Sequence, residues 1–159
     1  MQPRLDLAKF SGSGSYKAML GLEASLAQST LPVALKHMLK LRASQINGCA
    51  YCIDMHTKTA RRANESEQRL YAVAAWHEAP FFDDKERAAL ALADAVTLIS
   101  DEHVPREVWD EARAHFEPDE LAQLVWAITV INAWNRIAIT TRMKPATRSR
   151  ALAPANLKA

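Results

Sequence analysis

"PVALKHMLKLRASQINGCAYCIDMHTKTARR", residues 32–62, is the stretch that decides the fold. Val33, Leu35, Met38, Leu39 and Leu41 recur at helical spacing toward Ile46, and Pro32 suits a first helical turn. Asn47 and Gly48 both tolerate the left-handed conformation that closes helices, so this helix stops there. The next helix is expected from about Cys49 to Ala63. Its opening turns hold the chain's only two cysteines, Cys49 and Cys52, followed four positions later by His56.

Working outward, the same helical period recurs. "SYKAMLGLEASLAQ" (15–28) precedes this pair of helices. "NESEQRLYAVAAWH" (64–77) follows it, with Asn64 as the expected N-cap and Glu67 three residues on. "DDKERAALALADAVTLIS" (83–100) is acidic in its first turn, as the helix dipole prefers. "PREVWDEARAHF" (105–116) reads as a short helix. Pro118 to Thr141 carries Leu121, Leu124, Val125, Ile128, Ile131, Trp134 and Ile137 along one broad face. No segment alternates as a strand, and no repeat is visible. The expectation is an all-α, oligomer-forming protomer of about seven helices: an N-terminal arm over 1–14, a helical body over 15–142 and a basic tail over 143–159.

At 159 residues, 49% of them apolar and 24% charged, the chain has the profile of one globular domain. No apolar run reaches the roughly 20 residues of a membrane span, and no secretory leader is visible, so a cytoplasmic protein without membrane association is expected. Net charge is +2, and no acidic residue follows Glu120. Arg136, Arg142, Lys144, Arg148, Arg150 and Lys158 therefore read as a solvated basic end, or one pairing with "DDKE" (83–86) of a neighbouring subunit. No nucleic-acid motif surrounds them, and nucleic-acid binding is not expected.

Cys49, Cys52 and His56 lie three and four residues apart, which places all three on one face of a helix. Unpaired N–H groups and the helix dipole favour a thiolate at a helix N-terminus, and Cys-x-x-Cys thiols ionise well below a free thiol. An imidazole titrating near neutrality supplies a proton to a departing alkoxide, and the second thiol condenses with the sulfenic acid. Three other readings stand beside this redox one. The thiols could form a structural disulfide, lie inert in the core, or bind zinc with His56 and a fourth ligand such as His37. A thioredoxin-type centre needs a βαβ setting, which is missing here.

"LKLRASQINGCAYCIDMHTKTARR" (39–62) resembles the core motif of AhpD-like alkylhydroperoxidases, within the carboxymuconolactone decarboxylase superfamily. Weaker likeness continues through 86–97, 102–116 and 124–139. The resemblance implies an all-helical homotrimer or homohexamer that reduces hydrogen peroxide or organic hydroperoxides. Cys52 would attack the peroxide, Cys49 would resolve the disulfide and His56 would join a proton relay. No bound metal or organic cofactor is implied, only an external dithiol or reductase protein as electron donor. The superfamily's decarboxylases lack the cysteine pair, so decarboxylation is not expected. The alternatives are a thiol–disulfide oxidoreductase or redox sensor, and a non-enzymatic helical module with a structural zinc.

Two positions depart from the family pattern. His37 stands where the family has glutamate, and is expected to assist as a proton carrier. Tyr51 stands between the cysteines where better-known members have histidine, and is expected to line the substrate site. His77, His103 and His115 read as surface or capping groups. The four tryptophans, and Met19, Met38 and Met55, read as core or interface.

Overall fold

Ser13 opens α1 (Gly14–Ala27), its hydroxyl accepting the Tyr16 N–H at 3.3 Å. The computed structural model describes residues 2–145, so Arg148, Arg150, Lys158 and most of the expected tail lie outside the described residues. After α1 come α2 (Val33–Asn47), α3 (Ala50–Arg62), α4 (Glu67–Ala72), α5 (Asp84–Thr97), α6 (Ile99–Glu102), α7 (Arg106–His115) and α8 (Pro118–Thr141). Two 3-10 turns, Leu7–Phe10 and Val73–Ala75, complete the order. The all-α expectation holds, and the described residues contain no strand.

The boundaries differ from the sequence expectation in instructive places. Asn64 does not cap α4. It takes φ 65° directly after α3, and the Glu65 N–H reaches back to the Ala60 carbonyl, a left-handed helix stop. Ser66 is the cap instead, accepting from the Arg69 N–H, and α4 then tightens into the 3-10 turn after Ala72. The expected 83–100 helix breaks at Leu98, whose ψ of 33° leaves α6 as a separate turn. The arm before Gly14 is not loose along its length, because the Arg4 N–H donates to the Thr141 carbonyl at 2.9 Å.

Helix α2 is the hub, packing on α3, α5 and α8 at once. Met38, Leu39 and Leu41 of α2 are fully buried with Leu90 and Leu92 of α5 and Leu124 and Ile128 of α8. Each such side chain contributes roughly 1.5–3 kcal/mol by leaving water. Arg42 grips Asp94 with two bonds, at 2.6 and 2.8 Å, and Trp76 Nε1–H donates to the same carboxylate. "DDKE" is likewise used within the chain: Asp83 and Glu86 form the capping box of α5, and Glu86 pairs with Arg69.

A polar seam fastens the end of α2 to α8. Asn47 Nδ2 donates to the Oδ1 atoms of Asn132 and Asn135, both at 2.9 Å, and Asn135 Nδ2 donates to Ser44 Oγ at 3.0 Å. Asn132 Nδ2 donates onward to Thr97 of α5. Buried amides need all these partners, because an unpaired one costs about 1–3 kcal/mol. Asn135→Ala is therefore expected to destabilise the protein by roughly 2–3 kcal/mol through lost bonds and a void. Urea unfolding checks this, and the loss should appear in the midpoint with the slope unchanged.

Candidate active site

Gly48, at φ 70°, closes α2 in the left-handed conformation that suits glycine, and Cys49 follows as the N-cap of α3. Cys49 is thus just outside the helix and not its first residue. Its sulfur accepts the Cys52 N–H at 3.3 Å, the place an oxygen takes in an ordinary N-cap. Cys49 and Cys52 are joined in a disulfide, their Cα atoms 5.4 Å apart, and both are almost wholly buried. The pair is packed by Ala43, Ile131 and Ala138, with Tyr51, Trp134 and Met143 partly buried beside it.

Cys52, His56, His37 and Tyr51 all line one cavity of about 300 Å³, a size that fits a small organic molecule. Its walls are mainly apolar, from Leu7, Leu20, Met55, Trp134, Ala138 and Met143. The polar base comes from three helices: Glu23 from α1, His37 and Lys40 from α2, and His56 from α3. His37 and His56 face each other through their Nδ1 atoms at 3.4 Å. His56 is buried, and its Nε2 has no hydrogen-bond partner among the described residues. Lys40 Nζ is paired with the Glu23 carboxylate.

Burial pushes the His56 imidazole down to about 3, and the Lys40 ammonium and His37 push the same way. His37 is also lowered, first by burial and then by Lys40 and Lys36, with Glu23 opposing. In this disulfide-bonded form His56 is therefore a neutral base at neutral pH, not the group titrating near neutrality that its type suggested. It can act as an acid only after taking a proton from another group.

Sequence reasoning missed Glu23, Lys40, Tyr16 and Trp134. Tyr16, Leu20 and Glu23 follow a four- and three-residue spacing on one face of α1, so their common direction was available. What they face was not. Trp134 packs edge-on against Tyr16, ring centres 5.8 Å apart, and walls the cavity while also packing on the core, part of the core-or-interface role expected of it. Met55 is 39% exposed at the cavity rim, whereas Met38 is core as expected. Among the described residues no three His, Cys, Asp or Glu side chains converge as a metal-ligating group, so the zinc reading gains no support.

The signature of the carboxymuconolactone decarboxylase family matches residues 14–95, from α1 into α5. The chain belongs to this family. It is 41% identical over 148 residues to YdfG of Bacillus subtilis (strain 168), an uncharacterised protein, with 93% of this chain and 100% of YdfG covered. A crystal structure of an Agrobacterium tumefaciens protein, called a putative antioxidant defence protein AhpD, superposes with a TM-score of 0.89 at 39% identity. That match covers 92% of this chain and 100% of the other. The debrominase Bmp8, bound to 2,3,4-tribromopyrrole, shares the fold at a TM-score of 0.78 and 23% identity, over 91% of this chain and 77% of its own. The expected AhpD-like resemblance therefore holds, and the debrominase Bmp8 is an enzyme built on the same fold.

The lowered His56 value has a measurable consequence. Between its ordinary 6.5 and about 3, the folded oxidised protein binds fewer protons at His56 than the unfolded chain does. Stability present above the ordinary value is therefore lost as pH falls through this window, by up to a few kcal/mol. Thermal melts of the oxidised protein from about pH 7 to pH 4 should show a shallower acid slope in His56→Gln than in the parent.

Proposed function

We propose that this protein is a thiol peroxidase that reduces hydrogen peroxide or small organic hydroperoxides through Cys52, Cys49 and His56. The observation that carries this reading is the cysteine pair at the cap of α3, bridged, with Cys52 bordering an apolar cavity beside an unpartnered imidazole nitrogen. The apolar walls favour a hydroperoxide with a carbon body over bare hydrogen peroxide.

In the reduced enzyme the Cys52 thiol gives its proton to neutral His56. The thiolate, favoured by the N-terminus of α3, attacks one peroxide oxygen. The S–O bond forms as the O–O bond breaks, and the departing alkoxide takes the proton back from His56. The Cys49 thiol, one helical turn away, then attacks the Cys52 sulfenic acid; the S–S bond forms as the S–O bond breaks, and the hydroxide leaves as water with the Cys49 thiol proton. An external dithiol or a reductase protein returns both thiols. His37, its Nδ1 facing that of His56, assists as a proton carrier, and Tyr51 lines the cavity.

Single-turnover oxidation of the reduced protein by tert-butyl hydroperoxide, read by mass spectrometry, tests the assignment. Cys52→Ser is expected to lose peroxide consumption by at least about a hundredfold. Cys49→Ser should consume one equivalent and stop at a sulfenic acid that dimedone traps. Parent-like consumption by Cys52→Ser would reject Cys52 as nucleophile. An inert parent that exchanges rapidly with a small aromatic disulfide would replace the peroxidase reading with a thiol–disulfide oxidoreductase or redox sensor.

The same reading includes assembly into a homotrimer or homohexamer. It is supported by the large apolar side chains of Trp126 and Ile139, 56% and 44% exposed on α8, and by Leu22 of α1, which borders the same hollow as Trp126. Native mass measurement at about micromolar concentration should give three or six copies, and a monomer would reject it.

A further inference from the structure

Two hollows in the protein share one wall. The site cavity and a smaller space of about 160 Å³, walled otherwise by Leu26, Ala27, Val33 and Lys36, have Glu23, His37 and Lys40 in common. Among the described residues Glu23 is the sole carboxylate lining either space. Its side chain is 28% exposed, whereas the Lys40 side chain it pairs with is 7% exposed. The other cation nearby is committed elsewhere: Lys36 Nζ donates to the Leu26 carbonyl at 3.0 Å and to Ser29 Oγ at 3.2 Å, tying down the end of α1. Lys40 sits three residues along α2 from His37, and His37 meets His56 at 3.4 Å.

We propose that Glu23 is the positioning residue of this row: its carboxylate holds the Lys40 ammonium and so lets the His37–His56 pair carry a proton while Cys52 is ionised. The inference rests on the peroxidase reading above, and deepens it by naming the group that tunes the proton transfer. When the Cys52 thiol gives its proton to His56, the site holds a thiolate, an imidazolium, an ammonium and a carboxylate, and their charges cancel. Without Glu23 the same step leaves an imidazolium and an ammonium against one thiolate, in a buried place where like charges repel strongly. The proton then leaves with the alkoxide, so no proton is gained or lost and Glu23 returns to its starting state. Glu23 acts through Lys40 and need not touch the substrate.

Among the described residues the ionisable groups lining this cavity come from α1, α2 and α3. α1 contributes Tyr16 and Glu23, α2 contributes His37 and Lys40 with Lys36 behind them, and α3 contributes Tyr51 and Cys52. The residues lining it from elsewhere, Leu7, Trp134, Ala138 and Met143, carry no ionisable side chain. Removing Glu23 exposes Cys52 and the histidines to an uncompensated Lys40 cation. The thiolate becomes easier to form, and the imidazolium harder.

Two pH profiles on the reduced full-length protein test this: iodoacetamide alkylation of Cys52, and single-turnover oxidation by tert-butyl hydroperoxide. Glu23→Gln is expected to move the alkylation midpoint and the alkaline limb of the peroxide profile to lower pH by roughly one unit. Glu23→Asp should restore most of the parent behaviour, and Lys40→Met should move the alkylation midpoint to higher pH. A folded Glu23→Gln variant with both profiles unmoved overturns the inference. Should that variant fail to fold, Lys40→Met decides, and an unmoved alkylation midpoint overturns it. Because alkylation requires no peroxide, a parent inert to peroxide whose midpoint still shifts with Glu23→Gln would reject the peroxidase reading while upholding the charge coupling.

Discussion

A left-handed residue, Gly48, lets the chain leave α2 and begin α3 with only Gly48 and Cys49 between the two helices. Any longer connection would free the cysteine from the cap position. The tightness of the turn makes the Cys49 sulfur the acceptor for the first turn of α3 and sets Cys52 one turn further on. The turn is itself anchored, because Asn47 just before it is held by two asparagines of α8. A buried polar seam thus anchors the turn that carries the disulfide. A seam of amides has no evident role in an all-helical core except to fix one register of α2 against α8, which apolar packing alone leaves looser.

Charge at the site follows from that register. α2 turns His37 and Lys40 toward α1 and α3, and burial makes both histidines poor proton acceptors. A buried lysine beside a buried imidazole would be costly by itself, and the Glu23 carboxylate answers it from the opposite wall. The site therefore contains matched charges and little free water-facing polarity, under a mainly apolar roof. Such an arrangement keeps His56 neutral while the disulfide persists.

Much of this was legible in the sequence, and the reasons differ by element. The 118–141 helix was readable end to end because Pro118 and the long apolar face mark it without ambiguity. The "NG" stop was readable because few residues accept positive φ. Asn64 misled for the same reason: asparagine serves both as N-cap and as left-handed stop, and only the Glu65 bond back to Ala60 decides between them. Local spacing grouped Cys49, Cys52 and His56, since one helix carries all three. It could not supply Glu23 or Trp134, whose part in the site exists only after α1 and α8 have packed together.

Helix α1 joins the apolar core to the charged wall of the cavity. Leu26 is its only buried residue, and its main neighbour is α8, so apolar burial holds it weakly compared with α2. Yet it presents Tyr16, Leu20 and Glu23 to the cavity. Its C-terminal end is held by the Lys36 ammonium on the Leu26 carbonyl, its middle by Glu23 on Lys40, and its N-terminal side by Tyr16 against Trp134. Two of these three ties are electrostatic and reach the same face of α2. The placement of α1 is therefore coupled to the charge state of the site, and a change of charge there is felt first by the helix that closes the cavity.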